Sequence, residues 1–197
     1  MLKKIVISVV CSMLFFYTAK AVTPAEVEAY RVAADQGDAV AQSALGECFE
    51  KGQGVRQDFA EAVKWYRIAA DKGNAAALYN LGMLHANGKG VRQDYVEAAK
   101  WFRLAADKGY AAAQSNLGVL YEKGKGVRQD YTEAIKWFRL AADQGYATAQ
   151  YILGAFYVNG KGVRQDKSVA KEWFGKSCDN GLQEGCDKYR ELKEKGF

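Results

Sequence analysis

The sequence has a single proline, Pro24, and a single histidine, His85, among 197 residues. Twenty glycines with so little proline favour regularly spaced helix ends over disordered linkers. A zinc site needs several ligands, and the one histidine lies far from most of the cysteines. It also stands where two other stretches have tyrosine, so we expect it to pack rather than to act as a base. The sequence therefore predicts no metal site and no cofactor.

The chain also lacks an apolar run of the roughly 20 residues that a membrane-spanning helix needs. Its N-terminal run, from Ile5 to Tyr17, follows Lys3-Lys4 and precedes Ala19-Lys20-Ala21. This pattern is typical of a secretory signal peptide. An uncleaved anchor or a lipid on Cys11 are the alternatives, but the apolar run continues past Cys11. We predict a signal peptide over residues 1–21, a periplasmic or secreted protein, and no stable membrane insertion after cleavage.

There is no large excess of charge of either sign. Lys3, Lys4 and Lys20 leave with the signal peptide, so 28 basic residues become 25 against 23 acidic ones, and the net charge falls from +5 to +2. Proteins that bind nucleic acid usually carry a strong basic excess. We therefore predict that nucleic acid is not the partner.

The main positive feature is an internal repeat of 36 residues. The string GQGVRQD begins at Gly52, and GKGVRQD begins at Gly88, Gly124 and Gly160. Leucine, glycine and tryptophan recur in the same frame between these strings. An exact period over four copies predicts a repeat architecture rather than one globular core.

Each unit predicts two helices. The first begins after Asp58 or its equivalent, with a glutamate three residues on as in a capping box, and it stops at Gly73. The second ends at Gly88. A further pair opens at Thr23, which gives ten helices between about residues 23 and 195. A single pair cannot bury its apolar face, so the pairs must stack into a solenoid.

The pattern A-x-x-x-L-G-x-x-Y-x-x-G-x-G-V-x-x-D-x-x-E-A-x-x-W-x-x-x-A-A-x-x-G runs through residues 24–190 and resembles the Sel1-like repeat family, a relative of tetratricopeptide repeats. The resemblance implies an all-α, right-handed solenoid of antiparallel helix pairs with terminal caps over residues 22–197. It also implies a non-catalytic, monomeric scaffold with a protein or peptide partner, or, by analogy with members from pathogens, one that engages host cells. We place the repeats at about 41–74, 77–110, 113–146 and 149–182.

The copies differ mainly along one stripe of the second helix, at positions spaced i, i+4 and i+7. Apolar residues on a solvated stripe would be unusual, so we predict that they bind the partner: Tyr79, Met83, Tyr151 and Ala155. A second candidate lies on the first helix, because tryptophan is frequent at binding hot spots. It comprises Trp65, Trp101 and Trp137 with the neighbouring Ile68, Leu104 and Leu140. Packing between repeats is the alternative for the tryptophans.

The glycine loops are interpreted as structural, because they lack the spacing of a phosphate-binding loop. Each loop carries one arginine: Arg56, Arg92, Arg128 and Arg164. We favour pairing of these arginines with nearby aspartates or helix carbonyl ends. A basic ridge for an acidic partner is the alternative.

Cys178 and Cys186 flank the short turn at Gly181, one near the end of a helix and one at the start of the next. Helices joined by so short a turn bring such positions within disulfide distance, and export supplies an oxidising compartment. We predict a disulfide between them. Cys48 takes a position held elsewhere by leucine or phenylalanine and is expected to be a small buried side chain.

An enzymatic reading depends on the string Ser168-Val169-Ala170-Lys171. The cysteine spacing resembles the cysteine-rich branch of the family, some members of which are described as penicillin-binding or β-lactamase-like. Serine β-lactamases also need S-D-N and K-T-G elements, which this sequence lacks. We predict no catalytic residue, a capping role for Ser168 and a polar end cap for the last unit, with an enzyme of that branch as the alternative.

Overall fold

The computed structural model describes residues 22–197, which form ten α-helices and no β-strand. The predicted signal peptide, residues 1–21, lies outside the described residues. The helices are α1 (Pro24–Asp35), α2 (Ala39–Lys51), α3 (Phe59–Asp71), α4 (Ala75–Asn87), α5 (Tyr95–Asp107), α6 (Ala111–Lys123), α7 (Tyr131–Asp143), α8 (Ala147–Asn159), α9 (Lys167–Asp179) and α10 (Gln183–Glu194).

Side-chain caps set where the helices begin. Thr23 and Glu26 form a complete capping box at α1, with the Glu26 carboxylate accepting from the Thr23 amide at 2.8 Å. At α3, Asp58 accepts from the amide of Glu61 at 3.0 Å. The Glu61 carboxylate accepts instead from Lys64 Nζ at 2.8 Å. The box predicted at Asp58 is therefore half formed, although the helix begins where it was predicted to begin.

Glycines set where the first four even-numbered helices end. Gly88 closes α4 in the left-handed conformation with φ of 67°, as predicted, and a side chain there would be strained. The next glycine, Gly90, serves a different purpose. A Cβ atom at Gly90 would stand 2.4 Å from the carbonyl oxygen of Phe59, at the start of α3. Each loop thus packs directly on the preceding helix pair.

Each helix packs against the next one along the chain, and the helix pairs stack into an all-α solenoid, as predicted. The core is built largely from alanine and leucine, with one aromatic ring on each of four odd-numbered helices. Each ring lies against a glycine in the middle of the preceding even-numbered helix. The four couples are Gly46–Tyr66, Gly82–Phe102, Gly118–Phe138 and Gly154–Phe174.

The last helix pair departs from the others. In the preceding pair, Gln150 Nε2 donates to the carbonyl of Ala142 at 2.9 Å. The equivalent positions hold Cys178 and Cys186, whose sulfur atoms are bonded to each other and whose Cα atoms lie 4.5 Å apart. A covalent link thus stands where an internal repeat has a hydrogen bond. Only Gly185 and Leu192 of α10 are buried, so this helix presents a polar face to solvent.

None of the ten helices within residues 22–197 is both long enough and apolar enough to cross a bilayer.

Candidate protein-interaction surfaces

The predicted stripe on the even-numbered helices contributes to two separate grooves. Met83 lines a groove of about 180 Å³ between α4 and α6, together with Asn116 and Val119. Tyr151 and Ala155 line a second groove, of about 300 Å³, between α8 and α10. We call these the α4/α6 groove and the α8/α10 groove. The structure therefore brings Tyr151 and Ala155 together and places Met83 two repeats away.

Tyr79 has a mainly structural environment. Its ring centroid lies 5.8 Å from that of Phe102 and 5.1 Å from that of Tyr110. Burial is the main cause that raises the pKa of the Tyr79 hydroxyl. The apolar character that marked Tyr79 in the sequence is thus explained by packing between neighbouring helices.

The position three residues after Met83 and Ala155 is apolar in these two repeats and holds glutamate in the other two. Ala86 lines the α4/α6 groove and Val158 lines the α8/α10 groove. In the other two repeats, Glu50 accepts from the Tyr66 hydroxyl at 2.7 Å, and Glu122 lies 3.5 Å from Lys161 Nζ. Small apolar residues therefore alternate with engaged carboxylates along the stack.

The charged side chains on the rim of the α8/α10 groove are paired with one another. Glu191 accepts from Lys188 Nζ and from Lys195 Nζ, each at 2.7 Å. These hydrogen bonds and the two positive charges lower the pKa of Glu191 to about 2. The groove therefore offers apolar walls and a rim whose charges are already paired.

The three tryptophans named as candidates are half-buried. Trp65 packs on the N-terminal core, and Trp101 and Trp137 pack on the central core. The indole Nε1 atoms of all three are buried, and none has a hydrogen-bond partner within the described chain. Their positions favour packing between helices for most of each ring.

The exposed apolar surface lies three residues beyond these tryptophans. Four aliphatic side chains occupy the same repeat position on α1, α3, α5 and α7, and we call them the aliphatic row: Val32 (51% exposed), Ile68 (41%), Leu104 (48%) and Leu140 (48%). Lys176 takes this position on α9, with its Nζ 4.3 Å from the ring centroid of Trp173. Sequence reasoning missed Val32 because α1 was treated as lying outside the repeats, although the 36-residue spacing extends to it.

The four loop arginines differ from the prediction. All four are exposed, and none of them has a hydrogen bond or an ion pair anywhere in residues 22–197: Arg56, Arg92, Arg128 and Arg164. The aspartates two residues on, such as Asp94, accept instead from backbone amides at the starts of the helices. Spacing in the sequence cannot distinguish these two uses of a nearby carboxylate.

Ser168 and Lys171 of the S-x-x-K string make separate contacts. The amide of Ser168 donates to Asp166 Oδ1 at 3.0 Å, so Asp166 is the capping residue rather than Ser168. Lys171 Nζ donates to the carbonyl of Phe197. The Ser168 side chain is exposed on the first turn of α9. This arrangement gives the hydroxyl no positioned base.

His85 and Cys48 are both buried. His85 is 7% exposed and neither ring nitrogen has a hydrogen-bond partner in the part of the chain that is described. Burial is the main cause that lowers the pKa of His85 and that raises the pKa of the Cys48 thiol. Among residues 22–197, no three His, Cys, Asp or Glu side chains are grouped as a metal site would require.

Helix pairs stacked in this way define an α-solenoid. The sequence profile of the Sel1 repeat matches residues 39–74, 75–110, 111–146 and 147–182. The chain belongs to the Sel1 repeat family, whose members generally serve as protein-interaction scaffolds.

Solved structures agree with this assignment. A protective antigen present in uropathogenic Escherichia coli strains, which displays the same type of fold, is 40% identical with a TM-score of 0.83 over 87% of this chain and 37% of its own. A Sel1 repeat protein from Oxalobacter formigenes is 36% identical with a TM-score of 0.78 over 82% of this chain and 66% of its own. The chain thus spans about a third of the first structure and two thirds of the second. No curated protein matches it.

Proposed function

We propose that this chain is an exported, non-catalytic scaffold that binds a protein partner through the aliphatic row. The observation that carries the proposal is the exposure of Val32, Ile68, Leu104 and Leu140 at one repeat position. Isolated exposed aliphatic residues are ordinary on a soluble protein, whereas an aligned series of them is typical of an interaction surface.

The physical gain comes from removing these side chains from water. Burial of apolar surface contributes about 25 cal/mol per Å². The tryptophans three residues before Ile68, Leu104 and Leu140 are packed on the core, so the row is carried on helices that are already ordered. Little backbone freedom is then lost on binding, which favours affinity. The α4/α6 and α8/α10 grooves offer a second place where apolar partner side chains fit.

Export is supported by two independent features. Residues 1–21 have the composition of a signal peptide, and the bonded pair Cys178–Cys186 is of the kind that persists in oxidising compartments. The likeness to a protective antigen of Escherichia coli further supports a location in the cell envelope or beyond it, where contact with a host is feasible.

Photo-crosslinking in the native compartment tests the surface. A crosslinking amino acid placed at position 68 or 104 is expected to capture a discrete protein partner. The variant Ile68→Ser/Leu104→Ser/Leu140→Ser, with the crosslinking amino acid at position 32, is expected to give at least tenfold less crosslinked product. Its circular dichroism spectrum should be unchanged. Met83→Glu tests the α4/α6 groove in the same assay.

A matched control is available on α5. Val96 is 53% exposed and aliphatic, but it lies outside the row. Val96→Ser should leave capture unchanged. Equal loss in this control, or full capture by the triple variant, would remove the aliphatic row as the binding surface.

The alternative of a penicillin-interacting enzyme has a direct assay. We expect no covalent labelling by fluorescent penicillin, because Ser168 has no base beside it. Labelling that disappears in Ser168→Ala would replace the scaffold proposal with an enzymatic one.

A further inference from the structure

Eight of the nine arginines of the chain occur as pairs around one position of the even-numbered helices. That position holds an aromatic residue in every repeat: Phe49, His85, Tyr121 and Tyr157. We call the arginines of the preceding odd-numbered helix the inner arginines: Arg31, Arg67, Arg103 and Arg139. The four loop arginines are the outer arginines.

Three of the four inner arginines contact the ring, or the ring hydroxyl, of their repeat. The Arg31 guanidinium lies 5.9 Å from the ring centroid of Phe49. Arg103 lies 5.8 Å from the ring centroid of Tyr121 and also donates to its hydroxyl. Arg139 donates to the Tyr157 hydroxyl at 2.7 Å. A contact with the ring or with its hydroxyl therefore engages Arg31, Arg103 and Arg139.

The outer arginines complete a hollow beside each of the first two rings. Arg56, Asp58 and Phe49 line a hollow of about 740 Å³. Arg92, with Asp94 and His85, lines the equivalent hollow of about 540 Å³. In both hollows one carboxylate oxygen of the aspartate, Oδ1, accepts from the amides of the following helix. The guanidinium groups of Arg56 and Arg92 make no hydrogen bond within residues 22–197.

Three lysines of the same repeats, unlike the outer arginines, are engaged in ion pairs. Each odd-numbered helix of the first three repeats has a lysine that donates to the glutamate three residues before it: Lys64 to Glu61, Lys100 to Glu97 and Lys136 to Glu133. The positive charge of these lysines is therefore already paired. The outer arginines, one for each repeat, are exposed and make no such pair within residues 22–197.

We propose that this arginine–aromatic row binds an extended acidic protein segment, whose carboxylates accept from the outer arginines while its other atoms lie against the partly exposed rings of Phe49, Tyr121 and Tyr157. A planar guanidinium matches a carboxylate with two parallel hydrogen bonds, which an ammonium group cannot do. The inference rests on the proposed scaffold function and specifies the chemistry of a partner for a surface distinct from the aliphatic row.

Charge favours a protein segment over a continuous polyanion. The chain without residues 1–21 carries a net charge of only +2, and each outer arginine has an aspartate two residues away. A polyanion with a charge at every step would meet these aspartates. A peptide with spaced carboxylates places them beside the guanidinium groups alone. The row also ends at the cap, where Gly175 replaces the inner arginine.

The test measures fluorescence anisotropy of a labelled peptide of eight Glu-Ser repeats with the exported chain, residues 22–197, at low and physiological salt. Arg56→Gln/Arg92→Gln/Arg128→Gln is expected to weaken binding at least tenfold. The same three positions changed to lysine should weaken binding several-fold, because the paired hydrogen bonds are lost while the charge stays.

The matched control is Lys64→Gln/Lys100→Gln/Lys136→Gln, which removes the same charge from the same repeats. It should bind the peptide within twofold of the unmodified chain, and a Gln-Ser peptide should not bind. Equal weakening by the arginine and lysine variants would overturn the proposal as a general charge effect. Tighter, arginine-dependent binding of heparin would overturn it in favour of a polyanion.

Failure here is distinguishable from failure of the scaffold function. If the arginine variant loses no peptide binding but photo-crosslinking from position 104 still captures a partner, the acidic segment is wrong and the scaffold stands. If capture from position 104 is absent while peptide binding depends on the arginines, the aliphatic row is wrong.

Discussion

Gly82 of α4 lies against the ring of Phe102 of α5, so closely that a Cβ atom at position 82 would stand 2.5 Å from two of the ring carbons. Glycine in the middle of a helix normally costs about 1 kcal/mol relative to alanine. Here the absence of a side chain lets the ring fill the space between two helices. The same contact recurs four times along the chain, which makes it the junction between successive helix pairs.

Gly82→Ala is expected to lower the free energy of unfolding by roughly 1–3 kcal/mol, because overpacking outweighs the gain in helix propensity. Urea unfolding followed by circular dichroism measures the change. Phe102→Leu provides the control, since a smaller side chain makes room. The double variant should lose less than the two single losses added together, and simple additivity would contradict the contact.

His85→Tyr is expected to stabilise the chain by about 0.5–1.5 kcal/mol, the usual net contribution of a hydrogen bond. Tyr121 and Tyr157 accept at the equivalent positions from Arg103 and Arg139, whereas neither ring nitrogen of His85 has a hydrogen-bond partner among residues 22–197. Thermal and urea unfolding measure the difference. His85→Phe has no acceptor and should gain less; an equal gain would assign the effect to packing.

The same histidine predicts a dependence on pH. Burial, followed by the charge of Arg67, lowers the pKa of His85, while Glu97 and Asp94 act in the opposite direction. An unfolded histidine titrates near pH 6.5, so below about that value the unfolded chain binds more protons than the folded one. Stability is therefore lost as the pH falls below about 6.5, until the folded histidine also titrates.

Unfolding free energies at pH 7.5 and pH 5 measure this effect. The advantage of His85→Tyr over the unmodified chain should grow in acid, because tyrosine does not titrate there. Parallel losses in the two proteins would assign the acid sensitivity to other groups.

The Cys178–Cys186 bond is expected to contribute about 2–3 kcal/mol. Cys178→Ala/Cys186→Gln is the most conservative replacement, because it restores the residues of the preceding pair, Ala142 and Gln150. Its free energy of unfolding should fall by less than this amount, since a hydrogen bond replaces the link. A thiol reductant should destabilise the unmodified chain and leave the variant unchanged. Insensitivity of both to reductant would show that the bond does not form.

Local signals located the helices well. The predicted second helix of the first full unit, α4, ends at Gly88 as expected, because a capping residue and a terminal glycine act within one turn. Contacts between residues that are distant in the sequence were harder to predict. Tyr79 was expected at a binding surface, yet its neighbour Tyr110 lies 31 residues away and no periodic pattern reveals that contact.

The charged residues were the least predictable. Glu61 can accept from a backbone amide or from Lys64, and Arg92 lies two residues from Asp94; in each case the choice depends on small differences in geometry. The sequence places these groups near one another without deciding how they pair. Candidate surfaces made of free side chains therefore became visible only in three dimensions.

The loop glycines have a consequence for how such a chain can change over generations. Gly126 packs on Tyr95 in the same way as Gly90 packs on Phe59, so successive junctions are interchangeable. An in-frame duplication of residues 75–110 would meet a compatible neighbour at both ends. Gene duplication can therefore lengthen or shorten the binding rows by whole units of 36 residues, whereas a single inserted residue in a loop would misalign the junction.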